Sequence, residues 1–246
     1  MTSHRHEHPA MTVTVGIATD IGDRSHNCDA AAVHSTASTT AAAIIDGIGS
    51  TPEVERTAGL LAEVSARVAA RRGPVAGLLA AHELISGPGP ETPKPNAVGA
   101  VAVVYPSDRA TVIAHVGDCR VYSLTSDVLT QHTADHTVGE LLRMVGVNEH
   151  HAELHDNWVR TSIANAIVAS IPVVDVVADL VILTSDGVHK VLTNDEIADV
   201  AIALAYDPQK LAHALVAAAL SVPSTSERDN TTALVLRVDT PQEAQR

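Results

Sequence analysis

The sequence predicts an α+β protein in which antiparallel sheets are covered by pairs of helices. Three observations lead there. Short apolar runs with strand periodicity come in hairpin-like groups, bounded by Gly, Pro, Asn and Asp. Capped amphipathic stretches with helical periodicity come two at a time, once after residue 50 and once after residue 192. The chain of 246 residues is 46% apolar, built from Ala, Val, Leu and Ile with 2% aromatics and no Phe, so it can bury a sizeable aliphatic core.

Residues 1–10 read as a disordered tail carrying His4, His6 and His8. Without Met1 its Thr-Ser-His start has the make-up of a Cu(II) or Ni(II) chelate, although such tails are more often inert. A single domain is expected over residues 11–239, followed by a loose tail at 240–246. Val13, Val15 and Ile17 alternate with smaller or polar residues and predict the first strand. A turn at residues 19–23 and the segment Arg24-Ser25-His26-Asn27-Cys28-Asp29 lead into a second strand through Val33. Arg24 reads as a solvated turn residue or as a planar fork suited to two phosphate oxygens.

The run Ala41-Ala42-Ala43-Ile44-Ile45 is a buried strand that ends in Asp46-Gly47-Ile48-Gly49. Ser50 or Thr51 then caps a helix with Pro52 in its first turn and Glu53 completing a capping box on Ser50. Val54, Ala58, Leu61, Val64 and Val68 form its apolar stripe, and Arg71-Arg72-Gly73-Pro74 stops it. The next helix presents Leu78, Leu79, His82 and Ile85, with His82 read as a neighbour of the core. A Pro- and Gly-rich loop is expected at residues 86–96.

Residues 98–105, 111–116 and 120–124 read as successive antiparallel strands, the last two joined by a Gly117-Asp118-Cys119 turn. A short helix carries Leu141, Leu142 and Val145. His151 and His155 have the i, i+4 spacing of a zinc pair, but no third ligand is evident and a solvated face is the better reading. A helix is expected over residues 158–168, then a second β block at 173–177 and 180–186. Thr193 and Glu196 form a capping box on a helix with Ile197, Val200, Ala201 and Leu204 inward, and Asp207-Pro208 opens a helix with Leu211, Ala214, Leu215 and Ala218 inward. The last strand covers residues 232–238.

Asp46 ends one apolar run, Asp186 ends another in Leu180-Val181-Ile182-Leu183-Thr184-Ser185-Asp186-Gly187, and Asp229 precedes Ala233-Leu234-Val235-Leu236. A carboxylate at the end of a buried strand is costly unless a cation or several donors meet it. Three of them, far apart in sequence, are what a hard-cation site assembled by folding needs. The formal net charge of -13 argues against a nucleic-acid or anionic-membrane surface, and bound cations can reverse the sign locally for a phosphorylated ligand. Cys28 and Cys119, the two cysteines, suggest a reducing compartment; no membrane span or signal peptide is evident, so a soluble cytoplasmic protein is expected.

Together these motifs resemble the metal-dependent type 2C serine/threonine protein phosphatases in their bacterial form. Thr19-Asp20-Ile21-Gly22 with Arg24, Asn27 and Asp29 is similar to the opening motif, and Asp46-Gly47-Ile48-Gly49 to the Asp-Gly-Met-Gly turn. His115-Val116-Gly117-Asp118-Cys119-Arg120 resembles the Val-Gly-Asp-Ser-Arg hairpin, and residues 129–137 the approach to a mobile flap. Ser185-Asp186-Gly187 and Asp229-Asn230 resemble the closing motifs, and the matches run in order over roughly residues 12–238.

The resemblance implies a four-layer α-β-β-α sandwich of two antiparallel sheets flanked by helix pairs. It further implies two Mn²⁺ or Mg²⁺ ions, with Asp46 bridging them, the Gly47 carbonyl on one, and Asp186 and Asp229 on the second. Asp118 with Asp186 would take a weaker third ion, Arg24 would grip the substrate phosphate, and Asp29 would orient water. Cys28 and Asn230 would form the surroundings of the ligands. Cys28 stands where the family has Glu, Cys119 where it has Ser, Ser50 where Gly is common, and Asn96-Ala97-Val98-Gly99-Ala100 lacks the usual Gly-Thr pattern. The expected activity is hydrolysis of phosphoserine and phosphothreonine in proteins, opposed by a separate kinase. The alternative is a feebly active or inactive relative that binds phosphoproteins or a regulatory partner.

Overall fold

Side chains along residues 40–48 alternate between two cores. Ala41, Ala43 and Ile45 pack toward helices, whereas Ala42 and Ile44 pack toward a second sheet. The computed structural model describes residues 12–86, 95–108, 110–224 and 227–239. The expected tails at 1–10 and 240–246, and residues 87–94 of the expected loop, lie outside the described residues.

In chain order the strands and helices begin with β1 (Thr12–Asp20), β2 (Asp29–Ser35) and β3 (Thr40–Ile48), then α1 (Pro52–Arg72) and α2 (Pro74–Ile85). There follow β4 (Asn96–Tyr105), β5 (Ala110–Val116), β6 (Arg120–Thr125) and β7 (Val128–Gln131), then α3 (Val138–Met144) and α4 (Glu149–Glu153). The chain continues through β8 (Val173–Val176), β9 (Leu180–Thr184), α5 (Asp186–His189), α6 (Asn194–Leu204), α7 (Pro208–Ser221) and β10 (Thr231–Asp239). One antiparallel sheet has the order β2-β3-β4-β5-β8 and the other β1-β10-β9-β6-β7.

Three aliphatic cores separate four layers. Ala58, Leu61 and Ala62 of α1 and Leu78 of α2 pack on Ala43, Ile45 and Val101 of the first sheet. Ile44, Ala102 and Ile113 of that sheet meet Val121, Leu183 and Leu234 of the second. Ile197 of α6 and Leu211 and Leu215 of α7 cover Ile182 and Val235 on its far side. This is the α-β-β-α sandwich that the resemblance implies, and its thin aromatic content explains itself: Ala, Val, Leu and Ile alternate on every central strand.

Several local expectations change. Thr51, not Ser50, caps α1 by accepting from the Val54 amide, and Ser50 instead bonds Ser25 at 3.0 Å. Residues 117–119 are not a hairpin turn within one sheet: β5 pairs with β4 and β8, whereas β6 pairs with β7 and β9, so this segment crosses between sheets. Gly117 turns there at φ +88°, and a Cβ would stand 2.1 Å from Val98 Cγ1. Likewise β8 and β9 enter different sheets. Residues 158–168 do not form the expected helix. Asn165 Oδ1 accepts the Ser162 amide at 2.7 Å and Asn96 Oδ1 accepts the Ala164 amide at 3.2 Å, so side chains take up amides that a helix would need. The capping box of Thr193 and Glu196 and the Asp207 cap form as expected. His82 Nδ1 bonds the Ile163 carbonyl at 2.8 Å, and His155 bonds the His151 carbonyl rather than sharing a ligand with it.

Candidate metal and phosphate site

The strand period carries the carboxylates to one end of the inter-sheet core. On β3, Asp46 has the parity of Ala42 and Ile44, which face the opposite sheet. Asp29 lies directly across from it in the β2–β3 register, with the parity of Ala31 and Val33. From the other sheet, Ser185 follows β9 and its Oγ donates to Asp29 Oδ2 at 2.6 Å, while accepting the Thr232 amide at 2.9 Å. Asp186 opens α5, Asp229 stands just before β10, and Asp118 occupies the crossover between sheets.

Asp46, Gly47, Asp118, Asp186, Asp229 and Arg24 line one cleft of ≈ 320 Å³ together with Asn157 and Lys190. An adjoining groove of ≈ 480 Å³ shares Arg24, Asp186 and Asp229 and runs past Val191, Leu220 and Pro223. Gly47 allows the backbone of β3 to pass beneath α1, since a Cβ would meet Val54 Cγ1 at 2.6 Å and the Cys28 carbonyl at 2.8 Å.

The charges are poorly balanced inside this cleft. Burial, then the charges of Asp186 and Asp29, push the Asp46 carboxyl well above its ordinary value. Burial raises Asp29 to about 7, against the opposing bond from Ser185. Asp118 is raised by burial, with Lys190 pulling the other way. Two protein cations stand at the rim. Arg24 donates to Asp229 Oδ2 at 2.8 Å and lies 3.8 Å from Glu227. Lys190 donates to Asp186 Oδ2 at 2.8 Å, Asn157 Oδ1 at 3.0 Å and Asp118 Oδ2 at 3.2 Å.

Second contacts hold the carboxylates in place. The Asn230 carboxamide accepts the Cys28 amide at 2.7 Å and donates to the carbonyls of Ile21 and His26, tying β10 to the segment that carries Arg24. The crossover with Asp118 is clamped by His136, whose amide donates to the Gly117 carbonyl at 2.9 Å and whose Nδ1 accepts the Gly117 amide at 3.3 Å. Burial first, then His115, lowers His136 to about 4, so the ring is neutral and can accept. Cys28 is wholly buried; its thiol lies 3.8 Å from the Thr51 carbonyl at the start of α1, whereas Asp29 reaches Ser185.

Sequence reasoning thus named the carboxylates and Arg24 that line the cleft. It missed Lys190, Asn157 and Ser185. A Lys four residues after Asp186 was the available signal for the first, because that spacing returns the side chain to the same helical face. Among the described residues, no three His, Cys, Asp or Glu side chains already close on one point as a finished metal cage. The all-oxygen donor set nevertheless suits a hard divalent cation, and the raised carboxyls mark where its charge is wanted.

Comparison with solved structures extends over nearly the whole chain. A serine/threonine phosphatase of S. agalactiae aligns with a TM-score of 0.80 over 93% of this chain and 100% of its own, at 17% identity. The Staphylococcus aureus serine/threonine phosphatase aligns with a TM-score of 0.75 over 97% and 100%, at 18% identity. The catalytic domain of the serine/threonine protein phosphatase PstP, solved in complex with 2 manganese ions, aligns at 0.68 over 93% and 99%, at 21% identity. The chain has the bacterial serine/threonine phosphatase fold. No family model and no curated protein matches the sequence. At these identities the phosphatase fold is what is shared, and the chemistry is argued from the residues of this cleft.

Proposed function

We propose that the chain is a metal-dependent phosphatase that hydrolyses phosphoserine and phosphothreonine in proteins with two Mn²⁺ or Mg²⁺ ions. The observation that carries this reading is the convergence of Asp46, Asp118, Asp186 and Asp229 with Arg24 on one cleft, with Asp29 directly across from Asp46 in the β2–β3 register. So many carboxylates in so small a volume must either keep protons or share a cation, and Arg24 and Lys190 bond Asp229, Asp118 and Asp186 rather than Asp46. Asp46 and the Gly47 carbonyl, with Asp186 and Asp229, would hold the ions. Bound divalent ions lower the pKa of water and balance the charge of a phosphoryl group.

The chain's own side chains do the rest. Arg24 offers two parallel N–H donors to the phosphate, and exchanging its Asp229 contact for the substrate keeps the guanidinium neutralised. Asp29 accepts a hydrogen bond from the attacking water, oriented by the Ser185 hydroxyl on its other side. Asn230 fixes the spacing between Arg24's segment and Asp229 through its three backbone contacts. No cysteine or serine nucleophile is required, and both cysteines are buried. The adjoining groove past Leu220 and Pro223 is where polypeptide flanking the phosphorylated residue would lie. A separate serine/threonine kinase would supply the substrate. The two unpaired thiols suit the reducing cytoplasm. No helix among the described residues is long and apolar enough to cross a membrane.

A second reading, a phosphoprotein-binding module of feeble turnover, is favoured by one observation: Arg24 and Lys190 already engage Asp229, Asp186 and Asp118. Hydrolysis of a phosphothreonine peptide with Mn²⁺, with Mg²⁺ and with chelator decides between the two. Turnover with Mn²⁺ that chelator abolishes supports the phosphatase; peptide binding without turnover supports the module; turnover unchanged in chelator rejects both metal roles.

A further inference from the structure

The Lys190 ammonium stands where the sequence resemblance implied a third divalent ion. It lies 2.8 Å from Asp186 Oδ2 and 3.2 Å from Asp118 Oδ2, and its remaining donor is taken by Asn157 Oδ1 at 3.0 Å. An ammonium has three donors and no acceptor, so these three oxygens use it completely. The contact joins three elements: Asp118 comes from the crossover between sheets, Asp186 from the start of α5, and Asn157 from the segment after α4.

The position is built by the chain rather than reached by chance. Asp186 and Lys190 are four residues apart on one helical turn, so their side chains share a face. Asp118 is 5% exposed, so its carboxylate has little water to replace the lysine. A divalent cation would bind these oxygens at about 2.0–2.6 Å, and its coordination shell would overlap the ammonium.

We propose that Lys190 is a built-in cation that takes the place of a third divalent ion between Asp118 and Asp186 and ties the Asn157 segment to the sheets. The proposal rests on the reading of Asp46, Asp186 and Asp229 as holders of two ions. Asp186 serves both: Oδ2 meets Lys190, and a carboxylate has lone pairs on its other oxygen for an ion. A charge supplied by the chain is present at any free-metal concentration, so the Asp118 corner needs no ion of its own.

The test counts Mn²⁺ by equilibrium dialysis and calorimetry on the full chain, and separately records melting in chelator. Wild type is expected to bind two ions. Lys190→Asn and Lys190→Met are each expected to bind one more, weakly, because Asp118 and Asp186 are freed. In chelator both variants are expected to melt several degrees below wild type, because buried Asp118 loses its cation. Three ions on wild type, or two on both variants, would overturn the proposal. No ion on wild type would instead refute the two-ion reading, and the chelator melt then judges the Lys190 contact: unchanged melting of both variants overturns it, and lowered melting upholds the ammonium as the resident cation.

Discussion

The Ser185 hydroxyl donates to Asp29 Oδ2 at 2.6 Å, across the gap between the two sheets. The same hydroxyl oxygen accepts the Thr232 amide at 2.9 Å, so one side chain joins β2, the end of β9 and β10. Ser185→Ala leaves a buried amide without its acceptor and takes from the buried Asp29 carboxylate one of its hydroxyl donors. The expected loss is ~1–3 kcal/mol in denaturant unfolding, with kcat lowered more than KM, because Asp29 is left misaligned. A variant as stable and as active as wild type would show the contact to be incidental.

Asp46→Asn should separate stability from function. Asp46 is half-buried and crowded by like charges, so the neutral amide is expected to raise the melting temperature of the metal-free protein. The same variant should lose Mn²⁺ binding and turnover together. If metal-free melting falls instead, Asp46 is held by neutral hydrogen bonding and the electrostatic account of the site is wrong.

Arg24 bonds Asp229 through a single guanidinium nitrogen at 2.8 Å. Arg24→Ala is therefore expected to raise KM for a phosphothreonine peptide by ~10- to 100-fold, the scale of a lost charge-assisted contact. Mn²⁺ affinity should hold or increase, since Asp229 is released. Loss of Mn²⁺ binding with KM unchanged would reverse the assigned roles.

The pH dependence of stability follows from Asp29, whose pKa is raised to about 7 by burial. Between the ordinary carboxylate value of about 4 and that raised value, the folded chain keeps a proton that the unfolded chain has released. Stability is thus full below this window and is lost as pH rises through it. Half-buried His136 and buried His189, with lowered pKa values, pull the opposite way, and Asp46 and Asp118, raised like Asp29, pull the same way, so the comparison must be with Asp29→Asn. In chelator, wild type should lose stability relative to Asp29→Asn between pH 4 and 8, by on the order of a few kcal/mol. Parallel unfolding curves across that range would show that Asp29 does not titrate in the folded state.

Cys28 is 0% and Cys119 1% exposed, and burial pushes both thiols up. Native protein is expected to resist iodoacetamide at pH 8, with both thiols labelled only after denaturation. Rapid native labelling of Cys28 would mean that its contact near Thr51 opens readily.

The sequence by itself determined antiparallel sheets covered by helix pairs and most of the acidic residues, while the four-layer order was implied by the family resemblance. Periodicity along β3, β9 and β10 and the caps at Thr193 and Asp207 are local, because side-chain direction and capping depend on a few neighbouring residues. An apolar strand ending in a carboxylate was therefore readable at Asp46 and Asp186 without any partner in view. Tertiary structure alone decided which sheet each strand enters: residues 117–119 look like a hairpin turn yet cross between sheets, because pairing is chosen by distant strands. It also decided the fate of residues 158–168, where Asn165 and Asn96 take the amides that a helix would use. Most of all it decided the charge balance of the cleft. Asp118 and Asn157 meet Lys190 only after α5, the crossover and the segment beyond α4 have closed on one another, and Coulomb energy depends on that distance rather than on separation along the chain.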